Sequence, residues 1–203
     1  MAATPDWEGN DPGWSYAVQA IRWAAIPVWG ARKLRRAKTL PAHGLATLRL
    51  LFLNFCVALA LIGLVVAILV NAQHFTGSNV NSQVTAIAIA VIGAVSLVTP
   101  SVVERPLDCA NDHRLAFTYR NRFFTRIAVA ETPALSGFAG FILTGRWWIY
   151  PLGAAFGAIG FARLAPTAAN IEKDQERLDR QGCTRSLIAA LARPRPPNTP
   201  QVR

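Results

Sequence analysis

Acidic side chains are scarce in this sequence. Eleven Asp and Glu stand against 21 Lys and Arg, a formal net charge of +10. In a soluble chain such a balance points first to nucleic acid. Charge of either sign is sparse, however: 16% of residues are charged and 52% are hydrophobic. The basic residues flank apolar blocks and are not interleaved with them, so the expected partner is the lipid bilayer with its anionic lipids, and not nucleic acid. Cysteine is scarce as well. Cys56 lies in the first apolar block, and Cys109 and Cys183 lie far apart in charged segments. No pair has metal-ligand spacing, and neither a metal site nor a structural disulfide is expected. No secretory signal peptide is expected, because the first long apolar run starts near residue 45, after a polar start and a basic cluster. Catalytic groupings are missing too. His43, His74 and His113 fall in three separate loops, Ser136 has no basic neighbour, and there is no nucleotide-binding loop. No enzyme activity and no cofactor are expected.

Long apolar blocks are abundant. Residues 50–70, LLFLNFCVALALIGLVVAILV, carry one polar side chain, Asn54. Residues 84–103 form a second block, 123–143 a third and 147–165 a fourth. About 20 apolar residues in a helix cross the ~30 Å hydrocarbon core. In lipid an isolated strand would leave its amides unsatisfied, so these blocks read as helices. The predicted fold class is all-α: a polytopic membrane protein with four transmembrane helices, an N-terminal interfacial amphipathic helix and a cytoplasmic helical extension.

Lys and Arg alternate along the chain. Seven precede the first span, none lies in 71–83, five lie in 104–126, one in 144–146 and eight in 163–203. The positive-inside rule then predicts a multi-pass protein of the cell membrane with both termini and the loop 104–126 in the cytoplasm. Trp147, Trp148 and Tyr150 are placed for an aromatic belt at the outer interface.

Three regions follow. Residues 1–44 form a cytoplasmic leader with an interfacial helix, since Trp14, Val18, Ile21, Ala25 and Val28 share one helical face. The basic cluster Arg32, Lys33, Arg35, Arg36 and Lys38 follows as a membrane-surface patch. Residues 45–166 form the four-helix transmembrane domain. Residues 167–203 read as a charged helix that continues the fourth span, followed by a disordered Pro-rich tail.

One carboxylate sits inside an apolar block. Glu131 lies five residues past Arg126, roughly 7 Å deeper along a helix, and Pro133 follows it. Asn54 is likewise five residues past Arg49, and Thr99 is five residues before Glu104. An intramembrane layer of Asn54, Thr99 and Glu131 with Arg163 or Arg105 is expected, because a carboxylate at this depth needs protein or water around it. Glu131 then acts either as a structural latch or as a carrier of a proton or cation.

The stretch AVAETPALSGF, residues 128–138, resembles the ion-carrying helix of the rotary ATP synthase c-subunit. Residues 84–143 locally resemble that subunit's helical hairpin in order. The resemblance implies an acid among small residues on a helix after a basic cytoplasmic loop. It is local: the loop here reads Glu104-Arg105-Pro106, and the preceding helix has one glycine, Gly93. Ring assembly is not carried over.

Gly137 and Gly140 in the third span, and Gly153, Gly157 and Gly160 in the fourth, provide small helix-packing faces. One such face serves contacts between the two spans, and another is available to a partner. The functional expectation is a non-enzymatic accessory or stabilising subunit of a larger membrane transport or cell-envelope complex, in contact with another integral membrane protein. The alternative is a small proton- or cation-coupled transporter using Glu131.

Overall fold

The computed structural model describes residues 14, 17, 18, 44–72, 77, 78, 80–102 and 107–192. Most of the expected interfacial helix, the basic patch Arg32, Lys33, Arg35, Arg36 and Lys38, Arg105 and the tail 193–203 lie outside the described residues. The described part is helical, with no strand among the described residues. Its elements are α1 (Gly44–Asn71), α2 (Ser82–Val102), α3 (Asp112–Thr144), α4 (Ile149–Leu164), α5 (Ala168–Arg180) and α6 (Leu187–Ala192). Three of them, α1, α2 and α3, are long and apolar enough to cross a membrane. A fourth span exists if α4 and α5, bent by 65° at the break between them, are taken together. Alone, the 16 residues of α4 reach about 24 Å, short of the ~30 Å core.

Local chemistry sets the ends. Asn111 caps α3 by accepting from the Arg114 backbone N–H at 2.7 Å. Gly145 ends the same helix at φ 67°, where a side chain would be strained. Within the spans, hydroxyls are satisfied by carbonyls of their own helix: Thr99 by Val95 at 2.7 Å, Thr132 by Ala128 at 2.9 Å and Thr144 by Gly140 at 2.7 Å.

Helices α3 and α4 form the centre, and glycine brings them together. A Cβ on Gly137 would lie 3.1 Å from the Gly153 Cα, and one on Gly160 would lie 2.9 Å from the Ala130 Cβ. Gly153 also rides against the Pro133 carbonyl. Gly140 faces Ile89 and Thr85 of α2, each 2.9 Å from where a Cβ would be. All five glycines picked out in the sequence therefore serve contacts inside the chain. In lipid such close backbone approach, not water exclusion, drives association. The first span is attached more lightly. Phe52 meets Phe161 edge-on with centroids 5.9 Å apart, and the Tyr150 hydroxyl donates to the Leu59 carbonyl at 3.1 Å. Tyr150 is thus turned inward, while Trp147 and Trp148 are exposed as the belt requires. Much of the rest of α1, including Leu61, Leu64 and Ile68, is exposed apolar surface suited to lipid.

Two expectations are corrected at the charged end. The charged helix does not continue the fourth span. Pro166 pushes Ala165 out of the helical region, to φ −50° and ψ 129°. Thr167 then caps a new helix. The second correction is a disulfide. Cys109 and Cys183 are bonded, with Cα atoms 6.0 Å apart. The 65° bend at Pro166 brings α5 and the segment after it against α3, which brings these distant cysteines together. Arg185 locks the same contact, pairing with Asp112 at 2.8 Å and donating to the Cys109 carbonyl at 3.1 Å. Leu115, Ile171, Leu178, Leu187 and Leu191 bury a common apolar core there with Leu48 and Phe52 of α1.

Candidate functional site

The polar residues of the spans make no hydrogen bond or ion pair with one another among the described residues. Glu131 is half-buried on the flank of α3, beside the buried stripe Ile127, Ala130, Ala134 and Phe141. It makes no hydrogen bond or ion pair among the described residues, with Asn54 and Arg163 or with any other group. Asn54 is exposed. It lies about 200° around α1 from Phe52, the residue that faces the bundle, at 3.6 residues per turn. Thr99 is satisfied within its own helix. Arg163 is exposed and has no side-chain partner among the described residues. The depth of the first two is set by their neighbours. Phe52 meets Phe161, and Ala130 meets Gly160, so Asn54 and Glu131 lie at similar levels in the bundle.

A cavity of about 330 Å³ opens at the charged end, between α2, α3, α4 and α5. Its inner wall is Leu97, Ala130 and Gly160, with Ser96 beside them. Its outer wall carries Arg126, Arg163, Lys173, Asp174 and Arg177. Asp174 is surrounded: Tyr119 donates its hydroxyl at 3.1 Å, and Arg126 and Arg177 each approach at 3.7 Å. The corner that shapes this wall is fixed by Asn170, whose amide donates to the Ala165 carbonyl at 2.8 Å and the Arg163 carbonyl at 3.2 Å. Behind it, the fully buried Arg49 donates to the Pro166 carbonyl at 3.2 Å.

Of the residues singled out in the sequence as site or packing residues, Arg163 and Gly160 line this cavity. Arg126, Lys173, Asp174 and Arg177 were missed as a group. One signal was present: Lys173 and Arg177 are four residues apart, which puts two cations on one helix face. No group of three or more His, Cys, Asp and Glu side chains suited to a metal ion occurs among the described residues.

Fold and site together define an all-helical chain with three to four helices able to span a membrane and a cation-rimmed cavity at one end. Compared with protein-family models, curated proteins and solved structures, the chain matches none.

Proposed function

We propose that this chain is a non-enzymatic integral membrane protein, an accessory or stabilising subunit of a larger membrane transport or cell-envelope complex. The single observation that carries the reading is Glu131. It is a carboxylate within a span, half-buried and without a hydrogen-bonding or ionic partner among the described residues. Acids in membrane spans are costly unless they meet protein or water. Asn54, at a similar level and turned away from the bundle, is a second polar group without a side-chain partner among the described residues. A neighbouring membrane helix with a donor would satisfy either. The glycine faces are used up inside the chain, so docking through the flank of Glu131 or the outer face of α1 is favoured over docking through glycine. In this reading the chain sits in the cell membrane with both termini cytoplasmic, and its basic ends contact anionic lipid.

A second reading rests on the same carboxylate. A side chain with no partner among the described residues can take up a proton or cation, as a small coupled transporter requires. Reconstitution in vesicles with an internal pH dye separates the two. Proton flux that disappears in both Glu131→Gln and Glu131→Leu supports the transporter. No flux in the unaltered chain, with partner recovery kept by Glu131→Gln and lost by Glu131→Leu, supports the subunit.

A further inference from the structure

We infer that the cavity at the charged end is a binding site for the phosphate of an anionic phospholipid headgroup. The two walls of the cavity differ in chemistry. Leu97 and Ala130 come from the spans and offer an apolar wall at membrane depth. Arg126 comes from the middle of α3, Arg163 from the end of α4, and Lys173 and Arg177 from α5. Four cations face one carboxylate, Asp174, so the site keeps a clear positive excess.

The charges are not equivalent. Asp174 is already served by Arg126, Arg177 and the Tyr119 hydroxyl. The Arg163 and Lys173 side chains have no hydrogen-bond or ion-pair partner among the described residues. They stand on the two sides of the α4–α5 corner that Asn170 holds rigid. Guanidinium and ammonium groups at a pre-formed opening are the donors that phosphate oxygens require. A cavity of about 330 Å³ has room for a headgroup phosphate and part of its glycerol. The apolar inner wall would lie beside the start of the acyl chains, where a free phosphate ion has nothing to contact. Basic pockets between helices at the membrane surface suit anionic headgroups on the same grounds. The proposal does not depend on Glu131 or on the subunit reading.

The test uses the full-length chain in neutral detergent. Thermal unfolding is followed while dioleoyl phosphatidylglycerol, dioleoyl phosphatidylcholine or inorganic phosphate is added. Phosphatidylglycerol is expected to raise the midpoint saturably, and the other two are not. In Arg163→Gln/Lys173→Gln the apparent affinity falls about thirtyfold, near fivefold for each charge removed at the surface. The charge-matched pair Arg114→Gln/Arg180→Gln, outside the cavity, loses far less. Both pairs alter exposed side chains, and circular dichroism checks that they fold. Leu97→Trp fills the inner wall without changing charge and is expected to weaken the lipid effect as well. Equal losses in the two charge pairs would overturn the site in favour of diffuse surface attraction. An equal response to inorganic phosphate would overturn the lipid as its occupant.

Discussion

Arg49 donates from Nε to the carbonyl oxygen of Pro166, 3.2 Å away across 117 residues of chain. The arginine is fully buried, and its guanidinium also lies 5.0 Å from the centre of the Trp14 ring. Pro166 breaks the helix, and the carbonyl at that break is served by the start of the first span. Arg49→Met is therefore predicted to lower stability in detergent by about 1.5 to 3 kcal/mol, the range for a hydrogen bond from a charged donor. Thermal unfolding of the purified variant checks it. An unchanged midpoint would mean that the corner holds without Arg49.

Glycine substitutions are predicted to rank by the room around them. Gly153→Ala drives a methyl into the Pro133 carbonyl and the Gly137 backbone. It should cost about 1 to 3 kcal/mol, as overpacking does. Gly157→Ala meets the Ala134 side chain at 3.2 Å and should cost less. Midpoints measured side by side test the order, and a reversed order would contradict the α3–α4 packing.

The Cys109–Cys183 bond closes a loop of sequence separation 74, for which chain entropy gives about 4 kcal/mol. Adding a reductant in detergent is predicted to lower the unfolding midpoint. Cys109→Ser is predicted to lower it equally and to abolish the response to reductant. A variant that still responds would place the redox effect elsewhere.

Much of the fold was legible because bilayer-spanning helices announce themselves as apolar blocks between charged loops. Helix rotation was not legible. The first span is apolar all the way round, so hydropathy cannot say which face meets the bundle, and Asn54 turned out to face away from it. The same ambiguity put Glu131 within reach of Asn54 on depth alone. Depth follows from counting residues, while rotation follows from contacts such as Phe52 with Phe161. The disulfide and the cation-rimmed cavity were hidden for another reason. Both arise from the 65° bend at Pro166, which brings α5 and the segment after it against α3 over long sequence distances. The proline was visible, but the direction of the turn was not.

Orientation is tested by labelling. Lys and Arg alternate 7, 0, 5, 1, 8 from segment to segment, which predicts a cytoplasmic charged end. With the Cys109–Cys183 bond first opened by a permeant reductant, both thiols are predicted to react with an impermeant maleimide in permeabilised cells and not in intact ones. A cysteine introduced as Val80→Cys, at an exposed position of the opposite end, should react in intact cells with an impermeant reagent. Labelling of Cys183 in intact cells would reverse the whole orientation.

The most direct test of the central claim is a photo-crosslinker placed at Asn54 or Leu135 in the chain expressed at native level. Leu135 is exposed one turn along α3 from Glu131. A subunit role predicts one discrete adduct with another integral membrane protein, recovered in mild detergent, kept in Glu131→Gln and lost in Glu131→Leu. Adducts with lipid alone, together with a clean monomer in the same detergent, would contradict it.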